Sequence, residues 1–149
     1  EKPSIPQVSY EEAGQLIGEI SKIVEEVFQY EFDHDVELGP GLGDAMIAYR
    51  EDFFTEHQKE HLRTKGNEVP RYSCDSGCIF HYTCHPYADS SVSYIADYYE
   101  IVEQKDNRLV IDVNQYEMML EHLMEDILRI EFMYEDNRWK LHQEFYYIP

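Results

Sequence analysis

A chain of 149 residues, 43% hydrophobic and 29% charged, has the size and composition of one globular domain with a proper core. Its 31 Asp and Glu against 12 Lys and Arg leave a formal net charge of −19. Such a surface repels phosphate backbones and anionic lipid headgroups and so excludes nucleic acid as a partner. No apolar run approaches the roughly 20 residues that a membrane-spanning helix needs, so no transmembrane segment is expected.

Residues 1–8 carry Pro3 and Pro6 without periodicity and read as a linker or disordered N-terminus, leaving 9–149 as a single domain. Ser9 with Glu12 three residues on forms a capping box. Behind it, Leu16, Ile20, Ile23, Val24, Val27 and Phe28 recur at helical spacing and predict an amphipathic helix. The glycines and proline of "DHDVELGPGLGD" interrupt it. A second helix is predicted from about Asp44 to Lys65 on the strength of Met46, Ile47, Tyr49, Phe53, Phe54 and Leu62, ended by Gly66-Asn67 as a C-cap.

From Arg71 onward the period changes to two. Ile95, Tyr99 and Ile101 alternate with a partner set Leu109, Ile111 and Val113, and "KDN" separates the two runs. Leu128, Ile130, Phe132 and Tyr134 then share one side of a strand, and Trp139, Leu141, Phe145 and Tyr147 share one side of the next. Asp-Asn-Arg stands at both turns, at 106–108 and 136–138, where Asp and Asn tolerate the left-handed backbone of tight hairpins. Between the hairpins "QYEMMLEHLMED" suits either a short helix or a bulged strand entry. The expected fold class is α+β, two N-terminal helices packed on a curved antiparallel sheet.

All three cysteines lie in "CDSGCIFHYTC". Asp75-Ser76-Gly77 is a good three-residue hairpin loop that would set Cys74 opposite Cys78 at disulfide distance; a looped chain could instead pair Cys74 with Cys84. Either pairing leaves an odd cysteine and needs an oxidising compartment. Zinc is the weaker alternative. On a strand Cys78 and Cys84 would be about 20 Å apart, with His81 and His85 on the other face. Three reduced thiols in a cytosolic protein is the remaining reading, and it also leaves His81 facing away from any cysteine nucleophile.

Two further patterns are weighed against plainer readings. "HQKEH" places His57 and His61 on one helix face with a Glu between them, as in inverted zinc proteases, but lacks a third ligand and continues the Phe53 stripe as core-edge residues would. Asp33, Asp35 and Glu37 alternate as calcium ligands do, but Leu38 stands where the loop needs glycine, so a solvated acidic loop fits better. No metal or other cofactor and no catalytic residue is assigned.

Two leading helices, long meandering strands and a closing hairpin "IEFMYEDNRWKLHQEFYY" resemble the NTF2-like superfamily, whose domains often end on an acidic or glycine turn followed by Trp-Lys or Trp-Arg. Here those positions are Asp136, Asn137, Arg138, Trp139, Lys140 and Leu141, and "YREDFFTEHQKEHL" looks like the helix that many secreted members carry before their sheet. The resemblance implies a cone-shaped sheet around an apolar cavity, and a homodimer formed through the sheet. It implies no reaction.

A non-enzymatic domain is expected, binding a small molecule or protein partner through a cone pocket or a sheet face. The inward alternates Tyr99, Ile101, Phe132, Trp139 and Phe145 would line that pocket. The cysteine placement, the acidity and a proline-bearing start that could follow a signal peptide or lipid anchor lead to the expectation of an exported protein: secreted, periplasmic or surface-anchored. The alternatives are an immunity-type protein that neutralises a basic toxin through the acidic surface, and a small isomerase or hydrolase working in the cone pocket.

Overall fold

The computed structural model describes residues 4–68, 92–117 and 122–149. Cys74, Cys78, Cys84, His81 and His85 therefore lie outside the described residues, as do both disulfide pairings and the zinc alternative.

Ser9 opens the first helix as the capping box requires. Its hydroxyl accepts the Glu12 amide and the Glu12 carboxylate accepts the Ser9 amide, each at 3.1 Å. Helix α1 (Tyr10–His34) buries Ala13, Ile17, Ile20, Ile23 and Val27 as one stripe. It stops at Asp35, whose left-handed backbone (φ 51°) returns its amide to the Glu31 carbonyl. The Glu31 carboxylate then accepts the Leu38 amide at 2.6 Å. The acidic run is thus a helix exit tied back onto its own last turns.

The helix predicted from Asp44 to Lys65 is broken. It consists of α2 (Leu42–Tyr49), a 3-10 turn (Glu51–Phe53), α3 (Glu56–Thr64) and a second 3-10 turn (Gly66–Glu68). Between α2 and α3 the chain leaves helical geometry so that Phe54 and Thr55 can join the edge of the last strand. Phe54 makes a parallel bridge to Leu141, and the Thr55 amide donates to the Leu141 carbonyl at 3.1 Å. The Thr55 hydroxyl then caps α3 by accepting the Gln58 amide at 3.2 Å. Helix propensity is local and carries no trace of a strand 87 residues away.

Gly66 is not the left-handed C-cap expected. Helix α3 ends on a right-handed Lys65 and tightens into the 3-10 turn. That turn brings Asn67 back to α2, where its amide oxygen accepts the Asp44 amide at 2.9 Å and its nitrogen donates to the Asp44 carboxylate at 2.9 Å. A distant Asn thereby caps a helix whose own N-cap, Gly41, has no side chain to do so.

Among the described residues four antiparallel strands follow in chain order: β1 (Val92–Lys105), β2 (Arg108–Glu117), β3 (His122–Glu135) and β4 (Arg138–Tyr147). The stretch left open between the hairpins enters as strand on both sides, up to Glu117 and from His122. Both tight turns use their acidic residue at positive φ, but they differ. Asp136 and Asn137 are both left-handed, whereas at the first turn only Asp106 is. Leu109, Ile111, Val113, Leu128, Ile130, Phe132 and Leu141 face the helices and close one core with α1, α2 and α3. The class is α+β, with helices leading and an antiparallel sheet after them.

The helix layer tolerates side chains unevenly, which gives a paired test. A Cβ on Gly43 would lie 2.7 Å from the Leu62 carbonyl carbon, where α2 and α3 backbones touch, whereas one on Gly18 of α1 would meet nothing within 4 Å. Gly43→Ala is expected to cost about 2–3 kcal/mol, because rigid backbones must separate. Gly18→Ala is expected to add about 0.5–1 kcal/mol through helix propensity. Urea unfolding of the two variants checks both signs.

Candidate functional site

The site is built where the N-terminal segment, α1 and the β3–β4 turn meet. Gln104, on the helix-facing side of β1, holds the segment. Its carbonyl oxygen accepts the Val8 amide and its nitrogen donates to the Val8 carbonyl, both at 2.8 Å. Val8 is buried, so the segment is anchored at that residue, although residues 4–9 form neither helix nor strand. Five residues earlier in β1, the Tyr99 hydroxyl donates to the Tyr10 carbonyl at 2.7 Å, and the two rings stack at 4.3 Å. Gly14 makes this approach feasible, since a Cβ there would lie 2.5 Å from the Tyr99 hydroxyl.

Trp139 stands beside this junction, half-buried at the start of β4 and edge-on to Tyr134 with centroids 5.2 Å apart. It forms one wall of an open cleft of about 250 Å³ whose other walls are Val8 and, from α1, Glu12, Gln15, Leu16 and Glu19. The four α1 residues lie on one face by spacing, at 12, 15, 16 and 19. A smaller hollow of about 70 Å³, lined by Ile5, Pro6, Gln7, Gln104 and Arg108 among others, touches Trp139 as well. The N-terminal segment thus contributes to both. A larger groove of about 370 Å³ lies at the far end of α1, around Glu31, Asp35, Val36, Glu37 and an 83% exposed Phe32. It is walled by a single stretch of chain, whereas the Trp139 cleft joins three, so we take the cleft as the candidate site.

The five residues expected to line a pocket are distributed differently. Trp139 lines the cleft. Tyr99 supports it from behind, stacked on Tyr10. Ile101 is half-buried against the core, and Phe132 is fully buried within it, edge-on to Phe53 at 6.4 Å. Phe145 is 40% exposed and faces the opposite side of the sheet, paired with Arg129. The cause is a β-bulge. Leu141 pairs with Phe132 and Gln143 with Glu131, so His142 is an extra residue that reverses the alternation. Trp139 and Leu141 face the helices; Phe145 and Tyr147 do not. Glu12, Gln15, Leu16 and Glu19 were legible only as a helix face, and Val8 not at all.

The sheet face turned away from the helices carries a polar lattice. Asp112, 5% exposed, accepts from Arg129 Nε at 2.7 Å, from Nη2 at 3.0 Å and from the Tyr147 hydroxyl. Hydrogen bonding to Asp112 raises the pKa of both Arg129 and Tyr147, so the guanidinium stays charged and the phenol protonated. One row along, Glu131 is held by Arg108 and Gln143, and Arg108 reaches Glu103 at 3.3 Å. Every carboxylate and cation in this lattice has a partner, as a structural network requires.

The bulged His142 turns instead toward α3. Its Nδ1 lies 3.0 Å from the Thr55 hydroxyl and its ring 4.7 Å from that of His57. His57 and His61 thus acquire a third histidine that spacing could not reveal. Among the described residues, however, no group of three His, Cys, Asp or Glu is placed to hold a metal ion. Nor, among the described residues, is any helix long and apolar enough to cross a membrane. No protein-family model matches the chain, and no curated protein is significantly similar to it.

The histidine junction sets a pH dependence. Burial first, and the neighbouring His57 second, lower the pKa of both His142 and His61 below the ordinary 6.5. The unfolded chain therefore binds more protons than the folded one just below pH 6.5. The stabilisation these groups give is full above that value and is lost as pH falls through the depressed folded pKa values. Thermal melts of the parent and of the His57→Gln/His142→Gln variant, from pH 7.5 to 5, are expected to show the steeper fall in Tm for the parent.

Proposed function

We propose that this chain is a non-enzymatic binding domain of NTF2-like type, exported from the cytoplasm, which receives a small ligand or part of a protein partner in the cleft at Trp139. The observation that carries the proposal is the cleft itself. An apolar floor of Val8, Leu16 and the Trp139 ring is ringed by three polar side chains of one helix face, the arrangement that ligand sites share. Helices before an antiparallel sheet, and a Trp-Lys pair directly after its last turn, support the NTF2-like assignment. A binding role is favoured over catalysis because the polar groups among the described residues of the cleft are two glutamates, a glutamine and the Trp139 indole, with no histidine, cysteine or tyrosine among those residues.

Trp139 is the single tryptophan of the chain, so its emission reports on this cleft and the small hollow beside it. A ligand screen read by thermal shift and by tryptophan emission is expected to yield compounds that raise Tm and move the emission together. Trp139→Leu should abolish the Tm gain. Stabilising compounds that leave the emission untouched would place binding elsewhere, and a screen without any stabilising compound would overturn the proposal.

A further inference from the structure

We infer that the group this cleft receives is a lysine side chain presented by a basic segment of a protein partner. The inference rests on the binding role proposed above and names its ligand.

Size comes first. At about 250 Å³ the cleft falls below the ~300–1,000 Å³ typical of sites for whole small-molecule ligands. It suits a single long side chain. Its chemistry is divided as a lysine is divided. Val8, Leu16 and the Trp139 ring offer apolar surface to a four-carbon stem. Glu12 and Glu19, one on either side of Gln15 and Leu16, offer carboxylates to the ammonium, and an indole face attracts a cation in addition.

The existing partners of those carboxylates leave room for an incoming charge. Glu12 uses Oε1 for the Ser9 amide of the capping box. Glu19 pairs with Arg50 at 3.2 Å, with side chains 36% and 31% exposed, and an ion pair so open to solvent contributes little and exchanges readily. Charge complementarity then selects the source. A molecule of net charge −19 draws basic macromolecules toward itself over a Debye length and holds off acidic ones. A free amine carries one charge and gains little from that field; a basic segment carries several.

The test follows Trp139 emission during titration with three peptides of one length: lysine-rich, norleucine in place of lysine, and glutamate in place of lysine. Butylamine, as the free-amine source, forms a fourth arm. The lysine peptide is expected to bind at least tenfold more tightly than the norleucine peptide, to weaken as salt rises, and to exceed butylamine by a wider margin still. Glu12→Gln/Glu19→Gln should lose at least fivefold in affinity; Gln at position 12 retains the capping box, so the helix start survives. Equal or tighter binding of the norleucine peptide would overturn the inference and leave the cleft as an apolar site. Butylamine binding as tightly as the lysine peptide would overturn the assignment to a protein segment. Lysine-peptide binding that survives both the double substitution and Trp139→Leu, read calorimetrically, would be diffuse charge attraction and would also overturn it. If none of these four ligands moves the emission while compounds of the wider screen do, the inference fails and the binding role stands; if nothing does, both fail.

Discussion

One extra residue in β4 fixes which side chains meet the helices and which meet the far side of the sheet. A β-strand alternates strictly, so an inserted residue inverts everything beyond it. Because His142 occupies that position, Trp139 and Leu141 stay with the core face of the sheet while Phe145 and Tyr147 join Arg129 and the polar lattice on the other. The same bulge aims His142 at α3. The Leu141 carbonyl just before it receives the Thr55 amide at the point where the second helical stretch breaks. Without the bulge Phe145 and Tyr147 would turn to the helix side, the polar lattice would lose Tyr147, and His142 would no longer meet α3.

Local features of the fold were legible in the sequence. Ser9 and Glu12 announce the start of α1, the stripe through Ile20, Ile23 and Val27 announces its buried face, and both Asp-Asn turns announce their hairpins. What escaped depends on residues far apart in the chain. Phe54 and Thr55 leave the helix for Leu141, Asn67 caps α2 across 23 residues, and Gln104 clamps Val8 across 96. The candidate site suffered in the same way. Trp139 was found because it lies before the bulge and alternation still held; Phe145 was misplaced because it lies after. Val8 looked like part of a proline-bearing lead-in, since nothing near it shows that Gln104 will hold it.

Charge is apportioned with comparable economy. Two cations of this acidic chain neutralise nearly buried carboxylates, Arg129 on Asp112 and Arg108 on Glu131, while Lys59 reaches out to two exposed ones, Glu51 and Glu56. Lys59 is itself almost wholly buried, its stem in the α3 packing and its ammonium at the two glutamates. Most other acidic side chains among the described residues face solvent, where their charge disturbs packing least and acts at longest range.

The way β4 is finished also bears on self-assembly. Among the described residues the sheet ends on β4, a margin at which another chain could add as a further strand. On β4 the Phe54–Thr55 segment already occupies the carbonyl at Leu141, and the bulge beside it interrupts the regular ladder of donors and acceptors. The margin at β4 thus offers no long flat template for growth by strand addition.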